Sequence, residues 1–273
     1  MEIKSWPIVK NDCYKNNENR VDSRYRNFQD KGPKGLMLHS IGTPQPNAIV
    51  LAKHWNQPGL SVAVHAVLQA DGTVYQCMPW NYRGWHAGGN ANNTHIGVEM
   101  TEPDCIKYVG GATFKCSDKQ TAINQVKGTY ATAVELFAYL CKQYNLDPMK
   151  AIIGHAEGHK KGIASNHGDP EHLWKQLGLP YSMDTFRRDV SAKLKGTTAT
   201  TNSSSAKPVE SLKVGAKVKL KTGATYYDGK SIPSWLFKST LYVRSINGDR
   251  IVVSTVKTGP ITGAVNKKWL TLI

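Results

Sequence analysis

Gly35-Leu36-Met37-Leu38-His39 is an apolar run of strand length that ends in a histidine. A short, continuous apolar stretch suits a strand buried on both faces. The pattern returns at Ala151-Ile152-Ile153-Gly154-His155, again closing on a histidine. Where a hydrophobic strand gives out, the sheet holds a histidine rigidly while its imidazole faces a cleft. Working outward, residues 62–69 read as a strand, Asp71-Gly72 as a hairpin turn into a strand at 73–78, and residues 95–100 as a further strand. Helical patterns lie between them. Asn47 can cap a helix running through Trp55. Ser117 or Asp118 caps a long helix to about Tyr144, with Ala131, Val134, Leu136, Phe137, Leu140 and Cys141 as its core face. Residues 183–194 close the region as an amphipathic helix. Strands interleaved with helices predict an α/β domain, a mixed central β-sheet flanked by helices.

The character changes beyond residue 195. Residues 196–208 are small, hydroxylated and without apolar periodicity, so they bury nothing and read as a flexible linker. Residues 214–220 then alternate at period two, and strands at 241–246 and 250–256 flank the turn Asn247-Gly248-Asp249. This is the pattern of a small all-β barrel. The expected organisation is a first domain over 1–195, a linker over 196–208 and a second domain over 209–273.

The 273 residues carry a formal net charge of +15, unevenly spread. Residues 207–273 hold twelve lysines and arginines against Glu210, Asp228 and Asp249, a net of +9, and the residues before them hold the other +6. Such a bias favours association with a polyanion. Nucleic acid is not the expected one, because no aromatic-basic binding motif is present and the histidines would stay unexplained. Five cysteines, without metal-finger spacing, are expected as free thiols, although Cys105 and Cys116 could bridge a loop. No apolar signal segment opens the chain and no stretch is long enough to span a membrane, so the expectation is a chain without membrane insertion.

A catalytic zinc takes three protein ligands and leaves one position for water. His39 and His155 supply two candidates. The segment Ser165-Asn166-His167-Gly168-Asp169-Pro170 offers either His167 or Asp169 as the third. The segment His155-Ala156-Glu157-Gly158-His159 is not the metalloprotease HExxH helix, since its glutamate comes one position late and an apolar strand precedes it.

Five blocks taken in order resemble one family: residues 35–43 around His39, the hairpin at 71–76, Gly84-Trp85-His86-Ala87-Gly88, Ile96-Gly97-Val98-Glu99, and Ile153-Gly154-His155 with the later Asp169-Pro170. They resemble the zinc-dependent N-acetylmuramoyl-L-alanine amidases related to peptidoglycan recognition proteins. That resemblance implies one Zn2+ held by His39, His155 and Asp169, and cleavage between muramic acid and the L-alanine of the stem peptide. Glu99 matches a strand glutamate that orients or deprotonates the water. His167 stands where lysine is common, and is expected to stabilise the oxyanion. Trp85 and His86 are expected along the substrate groove, with His65 facing it or supporting it from behind. Residues 209–273 resemble bacterial SH3-like wall-binding domains of phage and clostridial lytic enzymes, with Tyr227, Trp235 and Trp269 as wall-binding aromatics. The implied partners are peptidoglycan and the anionic wall polymers of Gram-positive bacteria, met by a monomer or weak oligomer. Such an enzyme would be made in the host cytoplasm without a signal peptide and reach the wall by holin-type release. The alternative is a peptidoglycan-recognition protein of the same fold that binds without cutting.

Overall fold

The structure is a computed structural model that describes residues 1–196, 212, 214–257 and 261–272. The chain divides into two compact units, Met1–Thr201 and Asn202–Ile273. From residue 197 on, the expected linker lies outside the described residues.

The first unit is built on a six-stranded sheet. Its strands are β1 (Glu2–Ser5), β2 (Gly35–Ser40), β3 (Ala66–Leu68), β4 (Thr73–Gln76), β5 (His95–Met100) and one at Ile152–Gly154, numbered β8 below. Strands β6 (Ile106–Gly110) and β7 (Thr113–Cys116) form a separate antiparallel hairpin. The helices are α1 (Asp12–Glu18), α2 (Ser23–Lys31), α3 (Ala48–Trp55), α4 (Lys119–Gln143), α5 (Pro148–Ala151), α6 (His155–Lys160), α7 (Glu171–Leu177) and α8 (Met183–Leu194). The sheet order is β1-β4-β3-β5-β2-β8, with β3–β4 the one antiparallel pairing. The mixed sheet flanked by helices is therefore present. The hairpin turn at Asp71-Gly72 forms as its residues require, with Gly72 at φ +92° and Asp71 Oδ1 accepting from the Thr73 N–H.

Alternation along β2 divides the interior. Leu36 and Leu38 join Ile96, Val98 and Met100 in the main core against α4, α7 and α8, where Phe137, Trp174 and Phe186 are fully buried. Met37 turns to the other side and packs with Ala87, Ala91 and Ile153. His39 lies on that second side by strand period.

Several local expectations need correction. Ala131 is exposed, because it falls out of phase with Val126, Tyr130, Ala133, Val134, Phe137, Leu140 and Cys141, which form the buried stripe of α4. Of residues 62–69 only β3 is strand, with Ala63 making an isolated bridge to Trp85. His155 does not end a strand: it is the first residue of α6, whose start is closed by Glu157 accepting from the Gly154 N–H at 3.1 Å. All five cysteines are free, Cys105 and Cys116 included.

The second unit is an antiparallel sheet of β9 (Lys217–Leu220), β10 (Leu241–Asn247), β11 (Arg250–Ser254), β12 (Gly263–Asn266) and β13 (Leu270–Leu272), in the order β12-β11-β10-β9-β13. Among the described residues its two edge strands do not pair with each other. It has a core of its own around Val218, Leu236, Val243, Ile251 and Val265. No described helix is long and apolar enough to cross a membrane.

Candidate metal centre

Parallel pairing aligns the centre. His39 on β2 stands opposite Glu99 on β5, and Leu38 opposite Gly154 on β8, so the next step along each strand brings His39 beside His155. Asp169 arrives on the loop before α7, joined to Pro170 by a cis peptide bond. The three side chains are buried and converge. His39 Nδ1 lies 3.0 Å from His155 Nδ1 and 3.2 Å from Asp169 Oδ2, and His155 Nδ1 lies 3.5 Å from Asp169 Oδ1. Tetrahedral zinc with bonds of about 2.0–2.1 Å separates its ligand atoms by about 3.3 Å. Two imidazoles and a carboxylate at that spacing therefore fit a zinc ion. Burial drives the His39 pKa down, against the pull of Asp169, which keeps the ring neutral as a ligand must be. Burial pushes the Asp169 carboxyl up, but the imidazoles of His155 and His39 set against it outweigh that and hold the group below the usual carboxylate range.

The centre forms the floor of a cleft of about 570 Å³. Glu99 lines it with Oε2 buried and without a hydrogen-bond partner among the described residues. Its pKa is raised well above normal, first by burial and then by the charges of Asp169 and Glu102. A carboxyl group so placed resists ionisation. His167 lines the cleft rim, exposed, with its ring centroid 4.6 Å from that of His155. It is Asp169, not His167, that completes the close cluster with the two histidines. Trp85 is 40% exposed and lines the cleft, with the Arg83 guanidinium stacked on its ring at 5.1 Å.

The structure corrects the expectation for His65. That ring is fully buried, with Nε2 donating to the Tyr82 carbonyl at 2.6 Å and Nδ1 accepting from the Gly97 N–H at 3.0 Å. Both nitrogens serve backbone groups and the ring is not among the cleft-lining residues, so it fastens β5 rather than touching a substrate. Burial brings its pKa down to about 4. His86 does reach the cleft, yet its nitrogens also face protein: Nδ1 lies 3.0 Å from His39 Nε2, and Nε2 lies 3.1 Å from the His95 carbonyl.

Sequence reasoning missed one wall of the cleft. Tyr108, Gly111 and Ala112 of the β6–β7 hairpin line it together with His172. The Tyr108 hydroxyl lies 2.8 Å from both Glu102 Oε2 and His172 Nε2, and Glu102 Oε1 accepts from the Gly42 N–H at 3.1 Å. Glu102 is fully buried, and burial raises its pKa against the lowering effect of these donors. The Gly110-Gly111 pair between two alternating runs was the available hairpin signal. Nothing in the spacing of Glu102, Tyr108 and His172 announces that they meet. Ser165 was missed likewise; its hydroxyl bridges His155 Nε2 and the Ala87 carbonyl at 3.2 Å each.

In the second unit Tyr227 is 49% and Trp235 57% exposed, and the Arg250 guanidinium lies over the Tyr227 ring at 5.9 Å. Trp269 is instead half-buried against that unit's core. It is a packing aromatic with one edge open beneath Lys268.

A family profile described as N-acetylmuramoyl-L-alanine amidase matches residues 29–172. A search of curated proteins finds no match. Among solved structures, the chain is similar to the Staphylococcus aureus hydrolase AmiA in complex with its ligand, at 18% identity over 61% of this chain and 77% of that one, with a TM-score of 0.48. It is similar to the PlyG catalytic domain at 16% identity, over 75% of this chain and 100% of that one, with a TM-score of 0.48. It is also similar to the amidase LysC from Clostridium intestinale URNW, at 19% identity over 54% of this chain and 86% of that one, with a TM-score of 0.31.

Proposed function

Because the chain belongs to the N-acetylmuramoyl-L-alanine amidase family, we propose that it is a zinc-dependent peptidoglycan hydrolase. In this reading it cuts the amide bond between the lactyl group of N-acetylmuramic acid and the L-alanine of the stem peptide. The observation that carries the reading is the convergence of His39 Nδ1, His155 Nδ1 and Asp169 at zinc-ligand spacing, with Glu99 on the neighbouring strand.

His39, His155 and Asp169 would hold the ion. Zinc held there would supply Lewis acidity, which polarises a carbonyl and lowers the pKa of water to about 7. Glu99 takes the proton of the attacking water and returns it to the leaving amine, the task for which its raised pKa suits it. His167, at the rim, donates to the oxygen that gains charge, a contribution of about 3 kcal/mol for one well-placed donor. Trp85 offers an apolar wall to the sugar or peptide. The second domain, over 209–273 beyond a linker at 196–208, acts as an SH3-like wall-binding module. Tyr227, Trp235 and its net +9 meet stem peptides or anionic wall polymer, and tethering raises the local concentration of the catalytic domain. The setting is that of a phage endolysin released through a holin.

Digestion of purified Gram-positive walls tests the reading. Expected are new N-terminal alanine amines, lost on chelation and in His39→Ala. New reducing sugar ends would refute it, another N-terminal residue would make the enzyme an endopeptidase, and tight binding without release would identify a recognition protein.

A further inference from the structure

Two backbone carbonyls decide where the protons sit on both histidine ligands. A carbonyl oxygen only accepts. The His86 nitrogen facing the His95 carbonyl, Nε2 at 3.1 Å, therefore carries hydrogen. In a neutral imidazole that hydrogen leaves the other nitrogen, Nδ1, a bare acceptor. His39 Nε2, 3.0 Å from that acceptor, must then carry hydrogen, leaving His39 Nδ1 bare toward His155 and Asp169. The second chain runs the same way. The Ser165 hydroxyl donates to the Ala87 carbonyl, the Ser165 oxygen accepts from His155 Nε2–H, and His155 Nδ1 is left bare.

We infer that His86 and Ser165 are positioning residues that fix both ligand imidazoles as Nε2–H tautomers and aim their Nδ1 lone pairs at one metal. The inference rests on the zinc reading above, and it redefines His86, expected as a substrate contact, as support for His39. Both relays end within the short run His86–Ala87 and its neighbour strand, so one loop orients two ligands that lie 116 residues apart in the chain. The surroundings are shaped for these side chains. A Cβ on Gly97, the residue between the His65 and His86 rings, would stand 2.4 Å from the His86 ring. A Cβ on Gly88, already at φ +64°, would stand 2.7 Å from Ser165 Oγ. Each glycine keeps open the space its relay needs.

The test reads metal and protons rather than turnover. In the zinc-loaded, full-length protein with 15N-labelled histidine, long-range imidazole spectra should show His39 and His155 metal-bound through Nδ1 with hydrogen on Nε2. His86 should be a neutral Nε2–H ring. An Nδ1–H signal from His86 would overturn the inference, because that hydrogen would have to point at a bare His39 Nε2. Zinc titration against a chromophoric chelator should give a Kd about 10–100-fold weaker for His86→Leu and for Ser165→Ala. His86→Asn, whose side-chain oxygen can accept where Nδ1 did, should recover most of that loss. Equal affinity of wild type, His86→Leu and Ser165→Ala would also overturn it. Absence of zinc uptake by the wild type would overturn both this inference and the zinc reading. Tight zinc binding without wall hydrolysis would strike the enzymatic reading alone.

Discussion

At the scale of single residues, burial assigns different charges to two neighbouring acids. Asp169 lies against two imidazoles and stays ionised, whereas Glu99 Oε2 has no partner among the described residues and resists ionisation. The stability consequences have opposite sign. Asp169 has a depressed folded pKa, so its contribution is present above the unfolded carboxylate range and is lost as pH falls through it. His39, also depressed, is neutral when folded, so acid favours the unfolded chain from about pH 6.5 downward. Glu99 has a raised folded pKa, so it costs stability once pH rises past its unfolded value. Glu99→Gln is therefore expected to melt higher than wild type in the metal-free protein at pH 7–8, by about 2–4 °C for each kcal/mol relieved. The gap should close near pH 4, and amide hydrolysis should fall by about 10²–10⁴. Calorimetry across pH decides it, since a gap independent of pH would remove burial of the charge as its cause.

At the scale of elements, the start of α6 matters because His155 is its first residue. Glu157 caps that start, and Arg187 on α8 clamps Glu157 with bonds of 2.8 and 2.9 Å while reaching the Ile152 carbonyl at 3.1 Å. The pair keeps Arg187 charged and ties α8 to the strand edge that delivers a ligand. Arg187→Ala leaves a half-buried carboxylate without its partner, for which about 1–3 kcal/mol is the expected cost. Urea unfolding should show that loss, and zinc affinity should drop with it as the α6 start loosens. Unchanged zinc affinity at lowered stability would separate the clamp from the centre. The β6–β7 hairpin is the other element with a consequence. It brings Tyr108 against Glu102 and His172 and so builds a polar wall of the cleft.

At the scale of the molecule, the two units have separate cores. Residues 1–196 are therefore expected to fold alone and to cleave a soluble muropeptide at the rate of the full chain. Binding to whole walls should weaken without residues 209–273, and binding of the full chain should weaken between about 50 and 200 mM salt, as charge attraction is screened. A cosedimentation series measures both; salt-insensitive binding would deny the +9 any part. Saturating zinc should raise the melting temperature of residues 1–196, equivalent to about 4 kcal/mol at a thousandfold excess over Kd. Chelation should reverse it in a thermal scan.

Local order in this protein was readable wherever a residue type has one job. Apolar runs announced β2 and β8, Asp71-Gly72 its turn, and the period of residues 183–194 the whole of α8, while of Ser117 and Asp118 the structure chose Asp118 as the cap of α4. The two histidines were visible because each follows an apolar run. The helices at Asp12–Glu18 and Ser23–Lys31 and the edge strand Glu2–Ser5 went unseen, since their polar sequences carry little apolar period. Proton placement was also out of reach. Whether His86 meets a substrate or His39, and whether His65 opens to the cleft or is sealed against Gly97, depends on contacts that join β2 and β5 to segments distant in the chain. Such contacts have no local signature, because a ring nitrogen's role is set by which carbonyl stands 3 Å away. Parallel register and the packing of α6, α7 and the β6–β7 hairpin around it decided that.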